Sequence, residues 1–108
     1  MNAITNLDTG LKAGTIIAIK GVFAAYPQVE QAILYGSRAK GTYRYGSDID
    51  LTLKGAELTL TVLNKIDNDL DDLLLPYKTD VSIYHKIENQ DLLEHIERVG
   101  SVFYERGD

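Results

Sequence analysis

The sharpest pattern in the chain is the run DIDLTL, in which Ile49, Leu51 and Leu53 alternate with Asp48, Asp50 and Thr52. A period of two belongs to a strand with one apolar and one polar face. Residues 79–84 repeat it, with Val81 and Ile83 opposite Asp80, Ser82 and Tyr84. Residues 29–35 read as a short strand whose unbroken end, Ala32-Ile33-Leu34-Tyr35, suits burial on both faces and stops at Gly36. Helical spacing links Leu7, Leu11, Ile16, Ile17, Ile19, Val22 and Phe23, with Asp8 or Thr9 available as cap and an end near Tyr26, ahead of Pro27. Gly14 and Gly21 weaken this helix by about 1 kcal/mol each relative to alanine.

A second helical stripe joins Leu60, Val62, Leu63, Ile66, Leu70, Leu73 and Leu74, backed by the solvated acids Asp67, Asp69, Asp71 and Asp72 and closed by Pro76. A third helix, over residues 89–99, buries Leu92, Leu93, Ile96 and Val99 and meets Gly100 as its C-terminal cap. The tail SVFYER adds a short buried strand or turn. The order helix, strand, strand, helix, strand, helix, with no linker or repeat, predicts a single α+β domain (an α/β sandwich) over residues 1–108. Its small sheet is covered by helices mainly on one face.

Charge and composition narrow the chemistry. A net charge of -5 disfavours a protein that grips nucleic acid through phosphate neutralisation, since each phosphate contact wants a Lys or Arg. The chain has no cysteine, so any metal must be held by oxygen or imidazole. No leader pattern or bilayer-length apolar run is present, and a cytoplasmic location without membrane contact is expected.

Against this acidic background stands GSRAKGTYRYGSDID, residues 36–50. Alternation puts Asp48 and Asp50 on the same side of a strand, about 6.6 to 6.8 Å apart along the backbone. Two carboxylates so placed repel unless a cation lies between them, and Mg²⁺ suits an oxygen-only ligand set. If the strand of Asp80 pairs beside that of Asp50, Asp80 joins them, and three carboxylates can hold two ions about 3.5 to 4 Å apart. Gly36-Ser37 sits where a buried strand meets a short helical turn, a geometry that lets the backbone approach a phosphate. Lys40, Tyr43, Arg44 and Tyr45 lie between the two halves, where they contact a ligand or partner or simply cover the turn. His85 and His95 have no further ligands at metal spacing and read as surface or hydrogen-bonded core residues.

Gly36-Ser37, ten further residues, then Asp48-Ile49-Asp50 and a carboxylate on a later strand resemble the nucleotidyltransferase superfamily that includes DNA polymerase beta. The form GSRAKG...GSDIDL in so short a chain is similar to the minimal nucleotidyltransferase (MNT) antitoxins that pair with HEPN ribonuclease toxins. The resemblance runs from about Leu11 to Tyr104. It implies a nucleotidyltransferase fold with a small mixed sheet. It also implies that Gly36 and Ser37 hold the β and γ phosphates of ATP and that Arg38 orients the triphosphate. Asp48 and Asp50 would ligate two Mg²⁺ ions, and Asp80 would bind the catalytic one and accept the proton of the attacking hydroxyl. The reaction implied is transfer of AMP to a tyrosine of a partner HEPN toxin within a hetero-oligomer.

Two other functions are compatible with these residues. One is an antitoxin that occludes the toxin without catalysis, although a pure binder has no need of three mutually repulsive carboxylates. The other is nucleotide transfer to a small molecule, which 108 residues leave little room to bind. Template-directed polymerisation fits least, given the acidic charge.

Overall fold

The computed structural model describes residues 2–3 and 9–107. Five strands form one mixed sheet in the order β1-β5-β2-β3-β4, where β1 is Asn2–Ala3, β2 Gln31–Tyr35, β3 Ile49–Lys54, β4 Thr79–Ile83 and β5 Ser101–Glu105. β2 runs antiparallel to both β3 and β5, whereas β3 and β4 are parallel, as are β1 and β5. Among the described residues the α-helices are α1 Ala13–Ala24, α2 Ser37–Lys40, α3 Leu60–Asp71 and α4 Gln90–Val99. A parallel β3–β4 pair needs a crossover, and α3 supplies it.

The alternation in β3 does what a half-covered strand requires. Ile49, Leu51 and Leu53 are fully buried and join Ile19 and Phe23 of α1, Ile66 and Leu70 of α3, and Val81 and Ile83 of β4 in the main core. α4 packs on the opposite face, where Ile96 forms a second cluster with Ile33 and Tyr35 of β2. The unbroken run in β2 is thereby explained: Ala32 and Leu34 face one core, Ile33 and Tyr35 the other.

Three local expectations change. Leu7 and Asp8 lie outside the described residues, and Thr9 does not cap α1, which begins after Lys12 with no side-chain cap. Thr9 instead accepts the Leu11 N–H on Oγ1 and gives its carbonyl to Arg38. Ile17 is 69% exposed, off the buried stripe. α3 ends at Asp71, so Leu74 leaves the apolar stripe, 87% exposed and at φ 53° where the chain reverses before Pro76. The caps of α3 and α4 are side chains that accept N–H groups: Thr59 from Val62 and Asn89 from Leu92. The tail is a true strand, β5, with Ser101 and Phe103 buried.

Candidate active site

Strand register assembles the polar face of the sheet. Tyr35 stands opposite Asp50, and Asp50 beside Asp80, so one side chain from each of three neighbouring strands forms a row. Residues paired in register project from the same face, with strands about 4.8 Å apart. The row beneath is Ile33, Thr52 and Ser82, tied by a hydrogen bond from Ser82 Oγ to Thr52 Oγ1 at 3.0 Å. Asp48 is exposed and immediately precedes β3.

These carboxylates share one electrostatic neighbourhood. Burial pushes the Asp50 carboxyl above the usual carboxylate range, Asp80 and then Asp48 push it further, and His95 offsets part of the rise. Tyr35 is likewise pushed up, first by burial and then by Asp80 and Asp50. Among the described residues no three acidic, imidazole or thiol side chains converge closely enough to hold a metal ion by themselves.

The turn at Gly36 closes against the same carboxylates. Its φ of 75° and ψ of −158° lie where side chains with a Cβ are strained, and a Cβ there would collide with Asp50 Oδ2. Only glycine lets the backbone come this near the acid. Ser37 then opens α2, and the Gly36 carbonyl accepts from Ala39 and Lys40. Gly41, at φ 80°, ends the turn in the left-handed conformation.

Arg38, expected to orient the triphosphate, is enclosed by the protein's own groups. It is 2% exposed, and its guanidinium donates from Nη1 to the Thr9 carbonyl at 2.7 Å and from Nε and Nη2 to the Ser47 carbonyl at 3.2 and 2.9 Å. The rings of Tyr43 and Tyr77 lie 5.2 and 4.8 Å from its central carbon. Arg38 thus ties α2 to the residue that precedes Asp48. Because an arginine cannot lose its charge, burying it requires the full set of acceptors it finds here. The intervening loop is further closed by Ser47 Oγ, which accepts the Arg44 N–H, while Tyr45 stands fully exposed.

Sequence reasoning missed two participants. His95 of α4 accepts the Gly36 N–H on Nε2 at 3.1 Å and packs edge-on against Tyr35, with ring centres 6.1 Å apart. Its separation of 59 residues from Gly36 left no signal at motif spacing. Asp67 of α3, expected on a solvated face, is partly buried, and its carboxyl is pushed up by burial, then by Asp71 and Asp80. It lines an open cavity of about 590 Å³ beside Asp80, together with Leu70, Leu75 and Tyr77.

Comparison with known proteins places the fold and the family. The fold matches a chain of a toxin–antitoxin crystal structure with AMP-PNP at a TM-score of 0.67 and 21% identity, covering 89% of this chain and 75% of that one. It matches a chain of the tri-AMPylated Shewanella oneidensis HEPN toxin in complex with MNT antitoxin at a TM-score of 0.65 and 15% identity, covering 89% and 74%. A chain of a MntA-HepT toxin-antitoxin structure matches at the same TM-score and identity, covering 88% and 74%. Among curated proteins no relative matches the sequence. The model of the family described as "Polymerase beta, Nucleotidyltransferase" matches residues 18–108, taking in the glycine turn, the paired aspartates and the strand of Asp80, and the chain belongs to that family.

Proposed function

We propose that the chain is a cytoplasmic, Mg²⁺-dependent enzyme that transfers AMP from ATP to a tyrosine hydroxyl of a HEPN-domain toxin and thereby acts as its antitoxin. The observation that carries this reading is the register of Asp50 beside Asp80 with the Gly36 backbone against the Asp50 carboxylate. A mutually repulsive acid pair facing a glycine turn suits a cation bridged to a phosphate tail.

The donor set fits Mg²⁺. All its groups are carboxylates, and Asp50 is held in a state that a positive charge would relieve. Mg²⁺ is usually held by one or two carboxylates plus substrate phosphates and waters. The lack of a self-sufficient cage among the described residues therefore suits an ion that arrives with its nucleotide. Asp48 and Asp50 would hold it, with Asp80 alongside. When bound, the metal supplies neutralisation of the triphosphate charge.

The rest falls to this chain's own groups. The Gly36-Ser37 turn holds the terminal phosphates, and Arg38 acts from below by fixing the loop that leads into Asp48. Asp80 takes the proton of the acceptor hydroxyl, whose oxygen bonds to the α-phosphorus as pyrophosphate leaves. The acidic balance of the chain favours a protein over a nucleic acid as acceptor. The fold shared with chains of toxin–antitoxin structures, one with AMP-PNP and one with a tri-AMPylated HEPN toxin, supports both donor and partner.

The test is to incubate the chain with a co-expressed HEPN partner, Mg²⁺ and each nucleoside triphosphate in turn, then record intact masses. A nucleotide-sized gain on the partner with ATP, lost in Asp48→Asn, is expected. Toxin neutralisation that survives Asp48→Asn and Asp50→Asn with no mass gain would leave a non-catalytic binder.

A further inference from the structure

Gly36 presents an N–H that the sheet does not satisfy. Pairing of β2 with β3 ends at Tyr35 and with β5 at Leu34, so the next amide lies beyond both ladders. His95 Nε2 accepts it at 3.1 Å. The ring thus serves the turn through one nitrogen, Nε2, used as an acceptor.

The ring is held for this task from two sides. Its edge-on packing against Tyr35 fixes its plane, and α4 is anchored by Ile96, fully buried next in sequence, in the cluster with Ile33 and Tyr35. At the C-terminal end of α4, Gly100 lies so close to Ile33 that a Cβ would stand 2.8 Å from that side chain. The helix therefore cannot slide without disturbing β2.

We propose that His95 is a positioning residue for the phosphate turn: by holding the Gly36 amide it keeps the backbone in the conformation that lies against Asp50. This rests on the nucleotidyl-transfer reading of the site. It adds that the recognition of the triphosphate depends on a helix 59 residues further along the chain. Lacking the acceptor, the Gly36 peptide is free to rotate, and the turn must be ordered when the phosphates bind.

Two substitutions separate the acceptor from the volume. In His95→Gln the amide oxygen can accept the Gly36 N–H, and in His95→Leu nothing can. Hydrogen exchange at the Gly36 amide is expected to be slow in the unsubstituted chain and in His95→Gln, and about tenfold faster in His95→Leu. ATP with Mg²⁺ should bind about fivefold to tenfold more weakly to His95→Leu, with binding of AMP unchanged and His95→Gln close to the unsubstituted chain. Should His95→Leu fail to fold, the unsubstituted chain and His95→Gln decide the matter. A rapidly exchanging Gly36 amide in the former, or ATP binding in the latter as weak as an unpositioned turn would give, overturns the proposal. Equal ATP binding by His95→Leu and the unsubstituted chain overturns the role of His95 alone. Failure of the unsubstituted chain to bind ATP overturns the phosphate reading and this role with it.

Discussion

Asp50 and Asp80 occupy the same register position on the parallel strands β3 and β4, and burial, then Asp80 and Asp48, raise the affinity of the Asp50 carboxyl for its proton. A carboxyl whose folded-state pKa is raised stabilises the fold fully below its unfolded value of 3.8, and that contribution is lost as pH rises through the folded value. Once ionised, Asp50 therefore costs the fold stability. Asp50→Asn is expected to raise the melting temperature at pH 7 by roughly 2–5 °C and to lose that advantage below pH 4. Thermal unfolding followed across pH checks both the sign and the window.

The same cost predicts a response to ligand. Adding Mg²⁺ with a non-hydrolysable ATP analogue should raise the melting temperature in proportion to the logarithm of ligand concentration. The rise should disappear in Asp48→Asn, and stripping the ion with a chelator should reverse it in the unsubstituted chain.

Gly36→Ala introduces a Cβ into the Asp50 carboxylate at a backbone angle that side chains rarely adopt. A stability loss of about 1–3 kcal/mol follows from the strained conformation alone. Nucleotide transfer should fall by at least about a hundredfold, because relief of the contact displaces the turn from the acid. Denaturant titration and transfer rates, measured on one preparation, separate the two losses. Unaltered transfer by a stable Gly36→Ala would refute the arrangement.

Arg38 gives a prediction that a direct phosphate contact would not. Arg38→Ala leaves the Ser47 and Thr9 carbonyls without their buried donor and opens a gap between Tyr43 and Tyr77. Stability is expected to fall by about 3 kcal/mol even with no nucleotide present. Arg38→Lys should recover little, since an ammonium cannot reproduce the planar fork. Urea denaturation of the free protein is the measurement. A surface arginine waiting for a triphosphate would leave the midpoint unmoved.

Asp80→Asn keeps shape and removes both charge and basicity. Transfer should drop by about 10² to 10⁴, the usual contribution of a positioned base, while ATP binding changes by less than tenfold. Pre-steady-state transfer rates and equilibrium binding, compared directly, test whether Asp80 serves the chemical step.

The strands of the site were readable because a period of two survives any tertiary context that covers one face. Asp50, Asp80 and the buried trio of β3 follow from it. The turn at Gly36 and the short helix from Ser37 were readable from the abrupt end of the apolar run in β2. What escaped was set by contacts distant in sequence. Nothing near Arg38 announces that two carbonyls and two tyrosines will enclose it, and His95 meets Gly36 only because α4 crosses β2. Leu74 and Ile17 obey helical periodicity, yet one lies past the end of its helix and the other points away from the core. The two-residue strand β1 is too short for any period to reveal.

On the second face of the sheet α4 lies over β2 and Thr52 of β3 is fully buried, while among the described residues exposure grows toward the edge strand β4, where Asp50 and Ser82 are half-buried and Asp80 is exposed. Among the described residues the acid row is thus covered at its β2 end and open at its β4 end. Under the proposed function, the surface that covers the open end belongs to whatever presents the hydroxyl. Donor handling and acceptor choice are then carried by different molecules. A change of target would call for a new cover, with the acid row and its glycine turn left as they stand.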